Sequence, residues 1–249
     1  MAEKHFYEQK EYTTKYLLPY LQKQISNFHQ LNVLEVGCAE GGLLDALQEI
    51  GINCTGIEIS EERIRIAKTK NSSIDIIHGD ISDSNLTVNI PDQYDVVIMR
   101  EVIEHIENKY SAFKNLNSLL KENGYLFVSF PPKYSPFAGH QQIAQSFLKV
   151  VPYLHLLPTP LLKVISRSLN EKQEYVDEIK LHYKTGMSIE QFELLCMLNN
   201  FKPIIKELFV FRPIYGYRYG IPKLKVPNIR GFKEIYTFGY ETLLQKIML

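Results

Sequence analysis

Apolar positions along the chain change period several times, and the changes divide it into elements. Residues 3–28 place Tyr16, Leu17, Leu21, Ile25 and Phe28 at helical spacing, which predicts a leading helical segment. Short apolar runs then alternate with longer amphipathic ones. Asn32–Gly37 reads as a strand and Gly41–Ile50 as a helix. Ile52–Ile59 is a second strand, followed by a helix over Ser60–Lys70 that Ser60 is placed to cap, with Glu61 and Glu62 at its positive end. Ile74–His78 and Tyr94–Met99 are the next strands. The run Val-Val-Ile-Met in the latter suits a strand buried on both faces. A long helix is predicted over Val102–Lys121, stopped by Gly124 as C-cap, before a fifth strand, Tyr125–Phe130, halted by Pro131-Pro132.

After Lys133 this regularity fails until about Leu181, where prolines, aromatics and short apolar runs suggest an inserted helical cap. Order returns at Ser188, which with Gln191 makes a capping-box pair for a helix ending near Asn199. Lys202–Val210 and Phe232–Phe238 read as closing strands. The pattern predicts a doubly wound α/β fold with a mostly parallel, seven-stranded, Rossmann-like sheet. Residues 1–132 and 182–249 would form the main domain and 133–181 an acceptor-side cap.

Composition narrows the picture. With 249 residues and 45% hydrophobic content the chain can fill one α/β core. Its formal net charge of +0 supplies no global field toward nucleic acid, and no nucleic-acid motif occurs. The three cysteines, Cys38, Cys54 and Cys196, fit neither a disulfide framework nor a metal pair, so no metal ligand set is expected. Sparse thiols and an N-terminus without an apolar signal core suit a cytoplasmic protein. Phe147–Ile165 is rich in Leu and Val. Its lysines, prolines and His155 exclude a membrane span, although the stretch could lie against a membrane surface.

The sharpest chemical signal is Val33-Leu34-Glu35-Val36-Gly37-Cys38-Ala39-Glu40-Gly41-Gly42, between the first strand and the first helix of the alternating region. Small residues there let the backbone approach a ligand. Taken alone, Gly37-x-Ala39-x-x-Gly42 also fits a degenerate dinucleotide fingerprint. Three acids favour another ligand. Glu35, two residues before Gly37, suits a cationic amino-acid group. Glu58 ends the second strand 21 residues after Gly37 (58 − 37) and can accept ribose hydroxyls. Asp80, in His78-Gly79-Asp80-Ile81, can accept from an adenine amino group. Strand-end acids of this kind also cap helices, so a purely local role for each stays open. Together the residues resemble the class I S-adenosylmethionine-dependent methyltransferases over roughly residues 30–132. The resemblance implies S-adenosylmethionine as cofactor, with Glu35, Gly37, Ala39 and Gly41 around its methionine part. It puts Glu58 at the ribose and Asp80 at the adenine, and adds Cys38, Ile59 and Ile81 to the cofactor-binding set. Ala39 stands where the family usually has glycine.

The same resemblance extends to Arg100-Glu101-Val102-Ile103-Glu104-His105-Ile106, similar to the acid-rich turn ending in Glu-His of many small-molecule methyltransferases. It implies that Arg100 and Glu101 lie beside the donor. It leaves His105, His140 and His182 as candidate bases, because histidine titrates near neutrality. For His105 a half-buried structural role is the competing reading. Neither Asp nor Glu occurs from Asn123 to Asn170 or from Leu208 to Lys233. These stretches carry Lys133, Lys149, Lys163 and Arg167, then Arg212, Arg218, Lys223, Lys225, Arg230 and Lys233. Such a distribution points to a small acceptor that is anionic or linked to a lipid or saccharide, with methylation on oxygen favoured, and to possible peripheral membrane contact. A nicotinamide-dependent oxidoreductase and a non-catalytic donor-binding module are the alternative classes.

Overall fold

A computed structural model describes residues 2–90, 93–229 and 231–248. The leading segment is helical: α1 (Ala2–Tyr12), a π-turn over Thr13–Leu17, and α2 (Leu18–Gln24). The alternating region gives β1 (Val33–Val36), α3 (Gly42–Gln48), β2 (Cys54–Glu58), α4 (Glu61–Lys70), β3 (Asp75–His78), β4 (Tyr94–Arg100), α5 (Lys109–Leu119) and β5 (Leu120–Phe130). Then come α6 (Thr159–Ser168), α7 (Gln173–Thr185), α8 (Ile189–Leu198), β6 (Phe201–Phe211), α9 (Pro213–Tyr219), β7 (Leu224–Lys225), α10 (Lys233–Tyr236) and β8 (Gly239–Lys246). The sheet order is β3-β2-β1-β4-β5-β8-β6-β7. β1 to β5 pair in parallel, and β8 runs antiparallel to both β5 and β6. The two-residue β7 makes eight strands rather than seven.

Chain order reverses across the sheet at β1, flanked by β2 and β4. Open α/β sheets bind ligands outside the carboxyl ends of the strands at such a point. Two apolar clusters cover the sheet's faces. One holds Val36, Val97, Met99, Phe113 and Phe192, the other Leu21, Phe28, Leu43, Val96 and Phe127. A third, smaller cluster (Ala144, Leu148, Leu154, Leu162, Tyr175, Val176 and Ile179) lies wholly between β5 and α8. The α8 capping box is present, and Ser60 accepts from the Arg63 amide at the start of α4. All three cysteines are free and buried. No helix among the described residues is long and apolar enough to cross a membrane.

Several boundaries depart from the pattern. The helix expected over Val102–Lys121 is split into a 3₁₀ turn at Ile103–His105 and α5. Asn108 accepts from the Ser111 amide and opens a new helix, a local bond that competes with continuing the old one. Gly124 caps no helix. α5 ends at Leu119, and the chain enters β5 directly, with Asn123 at φ 61° beside a register shift against β4. Phe232–Phe238 contains α10 instead of a strand, and the final strand is β8. Its Tyr-Glu-Thr-Leu-Leu-Gln-Lys lacks the apolar signature of an interior strand, yet pairing on both edges buries nearly all of it. Helix α7 continues through residue 182, so the boundary expected between 181 and 182 falls inside one helix.

Helix α1 packs over the β1–α3 loop. Lys10 pairs with Asp45 at 2.6 Å and with Glu49 at 2.6 Å, His5 pairs with Glu40, and the Gly42 amide donates to Gln9 at 3.2 Å. A Cβ at Gly42 would run into the Phe6 carbonyl oxygen. Gly42→Ala is therefore expected to push α1 off the loop and to lower stability by about 1–3 kcal/mol, the usual result of overpacking. Chemical denaturation together with proteolysis at the N-terminus measures both effects. An unchanged unfolding midpoint and cleavage rate would contradict this packing.

Candidate active site

At the carboxyl edge of β1, β2 and β4 lies a cleft of about 1030 Å³. Its floor is the loop after β1, where Gly37, Ala39 and Gly41 take φ of 72°, 49° and 79°. Only a near-absent side chain suits Gly37, since a Cβ there would strike the Val102 side chain. Ala39 carries the family's missing methyl in the left-handed region at modest strain. Glu58 anchors this loop: one carboxylate oxygen accepts from the Ala39 amide at 2.8 Å, the other from the Ser60 amide at 2.9 Å. The local role of Glu58 is thus present: its carboxylate joins the loop after β1 to the turn before α4 while lining the cleft.

Glu35 is 1% exposed and accepts from Arg100 Nη2 at 2.9 Å. Its second oxygen, and Arg100 Nε, are buried without a partner. Burial pushes the Glu35 carboxyl up to about 7; Arg100 opposes the shift and Glu58 adds to it. Arg100 also lies over the Tyr12 ring, 5.5 Å from its centre. Asp80 uses one oxygen to accept from the Ser82 amide and hydroxyl, both at 2.8 Å, and both residues line the cleft. Ile59 and Ile81 also line it. Cys38 and Gly41 do not. The Cys38 side chain belongs to the core behind the loop, and Gly41 gives its amide to the Cys38 carbonyl, closing the turn.

Glu101 has φ 56° and is gripped through two nitrogens by Arg212, one at 2.8 Å. Arg212 comes from just before α9 and was visible in the sequence only as part of a basic run. The contributions of His5, Glu8, Gln9 and Tyr12 to the cleft wall were not visible there, because a polar helix preceding β1 carries no mark of which surface it covers. Arg218 pairs with Glu8 at 3.1 Å, tying α9 to α1 across the opening. The second basic stretch consequently makes no bare positive mouth. Arg212, Arg218, Lys225 and Lys233 are paired with Glu101, Glu8, Glu207 and Glu193, while Lys223 lies over the Tyr16 ring. Arg230 lies outside the described residues.

His105 lines the cleft, with 44% of its side chain exposed. His140 and His182 stand behind it, their centroids 5.4 and 5.2 Å from its ring. They stack on each other at 3.8 Å and 20°. Stacked rings do not converge their lone pairs, and no group of His, Cys, Asp and Glu among the described residues could hold a metal ion. Burial lowers the pKa of all three. His182 adds to the effect on His105, and His140 is pushed down to about 4 by burial and both neighbours. His155, expected in the cap, is fully buried, bonds the Lys133 carbonyl at 2.9 Å and is likewise pushed down by burial to about 4.

A parallel sheet reversing at β1, a left-handed loop bracketed by a strand-end carboxylate, and further acids at neighbouring strand ends define a class I S-adenosylmethionine-dependent methyltransferase. Residues 3–170 match the methyltransferase domain family, and the chain belongs to it. Among curated relatives, a ubiquinone biosynthesis O-methyltransferase of Colwellia psychrerythraea is 28% identical over 130 residues, 51% of this chain and 53% of that protein. One from Actinobacillus pleuropneumoniae is 31% identical over 118 residues, 45% and 50% of the two chains. The chain thus spans about half the length of the curated relatives it matches. Solved structures show the same fold. The plantazolicin methyltransferase BamL, in complex with a triazolic desmethylPZN analog and SAH, has a TM-score of 0.62 at 12% identity, covering 99% of this chain and 87% of that one. The magnesium protoporphyrin IX methyltransferase ChlM of Synechocystis, with bound SAH, has a TM-score of 0.56 at 15% identity, covering 96% and 84%.

Two measurements test this geometry. Glu58→Ala frees the Ala39 and Ser60 amides and is expected to lower stability by about 1–3 kcal/mol, the range for an unpaired buried polar group. A denaturation curve superposing on wild type would show that the bracket carries nothing. Acid should also weaken the fold. His140 and His155 are held neutral to about 4 in the folded chain but take a proton near 6.5 when unfolded. Their contribution is complete above 6.5 and is lost as pH falls from 6.5 toward 4, by up to about 1.4 kcal/mol per pH unit for each. Calorimetric melts across that window follow it. His140→Asn should reduce the slope, since Asn tolerates the φ of 53° found there; an unaltered slope would remove His140 from the account.

Proposed function

We propose that this chain methylates a hydroxyl of a small acceptor, holding its donor along Glu35, Glu58 and Asp80 and drawing the hydroxyl proton onto His105. The observation that carries this reading is the half-satisfied pair at the cleft floor, Glu35 with one free oxygen and Arg100 with one free Nε, both buried. A buried ion pair left with an unmet acceptor and an unmet donor fits an amino acid's ammonium and carboxylate. When bound, S-adenosylmethionine would supply an electrophilic sulfonium methyl, which passes to the acceptor oxygen as the sulfur–carbon bond breaks and the thioether leaves. Around it, Glu58 would offer its remaining lone pairs to the ribose hydroxyls while keeping the loop closed. The second oxygen of Asp80 would take the adenine amino group, and Ile59 and Ile81 would supply apolar lining beside the nucleoside.

Two features support His105 as the proton acceptor. It lines the cleft, and burial together with His182 favours its neutral form, so at neutral pH it holds a free lone pair. Its face toward the cap is closed by the His140–His182 stack, which fixes the ring's tilt without competing for the acceptor. Glu101, fixed by Arg212, and the α9 residue Ile214 complete the wall through which the acceptor enters. Because Arg212 and Arg218 are already paired, the wall asks for an uncharged hydroxyl as readily as for an anion. The curated relatives, named for O-methylation in ubiquinone biosynthesis, support a phenol or catechol over a saccharide.

Calorimetry with S-adenosylhomocysteine is expected to give a single-site isotherm; heat with NAD in its place would overturn the reading. In transfer of labelled methyl from S-adenosylmethionine to a panel of phenols and catechols, His105→Asn should reduce kcat by about 10²–10⁴. Its affinity for S-adenosylhomocysteine should stay near that of wild type. The acidic limb of wild-type kcat/KM should lie below 6.5, in keeping with the lowered His105 pKa. A variant as active as wild type would leave orientation alone to account for transfer.

A further inference from the structure

The cap has completed its own core and still presents apolar side chains to water. Leu148 in the 3₁₀ turn Phe147–Val150 and Leu162 in α6 point into the seven-residue cluster. Phe147 and Val150 point away from it, at 59% and 64% exposure, as do Leu161 and Val164 of α6, at 47% and 65%. An isolated exposed leucine needs no explanation, but large apolar groups along the outer edges of one small core do.

The charge around them identifies the occupant. Lys149, Lys163 and Arg167 come from these same two elements. None makes an ion pair among the described residues, in contrast to the cations of the β6–β8 connection. The stretch from Asn123 to Asn170 holds no acid, and the next one along the chain, Glu171, is engaged by the Gln145 and Ser146 amides. An anionic bilayer matches apolar side chains and cations together, the combination this surface presents. A helix that keeps Leu162 inward, sets Leu161 and Val164 outward and places Lys163 and Arg167 beside them can lie in the headgroup plane.

We infer that the outer face of the cap, Phe147–Val150 with α6, docks this protein onto an anionic lipid membrane. Docking is separable from methyl transfer and needs neither donor nor acceptor. The test is sedimentation of the full-length wild-type chain with vesicles of phosphatidylcholine alone, or with one third phosphatidylglycerol. Binding to the mixed vesicles is expected to exceed binding to neutral ones by at least about tenfold and to weaken steadily from about 50 to 500 mM salt. Phe147→Ser with Val164→Ser, and separately Lys149→Glu with Lys163→Glu, should each reduce it at least about tenfold. Wild-type melting temperatures and S-adenosylhomocysteine isotherms would show that the variants are folded. Equal binding to both vesicle types, or folded variants that bind like wild type, would overturn the proposal. So would a solution dimer of the wild-type chain dispersed by Phe147→Ser with Val164→Ser, because the face would then be an interface between copies.

Discussion

The carboxylate of Glu58 closes the site on which the rest of the structure converges. It ends β2 and accepts from two amides, one in the loop after β1 and one at the head of α4. Such charge-assisted bonds are worth roughly 1.5–3 kcal/mol each where buried. Their larger effect is geometric. The loop from Gly37 to Gly41 contains three residues with positive φ, a conformation that needs external restraint, above all at Ala39, which has a Cβ. Glu58 supplies that restraint from the neighbouring strand. Parallel pairing of β1 with both β2 and β4 places Glu35, Glu58 and Arg100 side by side beneath the loop. The acidic floor is thus a consequence of strand order, and it is assembled before any ligand arrives.

Around this rigid floor the walls come from remote parts of the chain. Helix α1 is fastened to α3 and the loop by Lys10, His5 and Gln9, and α9 is fastened to α1 by the Arg218–Glu8 pair. Arg212 reaches from the end of β6 to Glu101, whose backbone is held in the left-handed region at the end of β4. On the remaining side the cap and α7 meet the cleft wall mainly through histidines, His140 and His182 packing behind His105 of the turn after β4, with Lys184 pairing to Glu107 beside them. Charge pairing therefore fixes one half of the opening and neutral, desolvated imidazoles the other. The two halves respond differently to conditions, since salt screens exposed ion pairs and acid charges the rings.

Local pattern alone determined the parallel half of the fold. β1, β2, β4 and β5 are apolar runs whose character follows from burial, β3 is a half-exposed edge strand, and glycine, proline and capping residues punctuate them within a few positions. The loop from Gly37 to Gly42, the acids Glu35, Glu58 and Asp80, and the Ser188–Gln191 capping box were legible for the same reason: each acts through neighbours close in sequence or through spacing set by one strand–helix unit. The division of charge was legible as well, because the absence of acids from a stretch is a property of the sequence itself.

Tertiary structure decided what depends on distant partners. β8 is polar enough to read as a surface element, yet it is interior because β5 and β6 pair with its two edges. The helix predicted from Val102 breaks because the Asn108 side chain caps a new start. Arg212, Arg218, Lys225 and Lys233 looked like free charge, and only the fold brought acids from 8 to 207 within reach of them. The sequence could nominate His105, His140 and His182 one by one. That a single one lines the cleft while the other two stack behind it follows from the angle at which α7 and the turn at His140 pack against the end of β4. Periodicity reports which face of an element is apolar; it carries no information about which remote element covers that face, and in this protein the cover sets the chemistry.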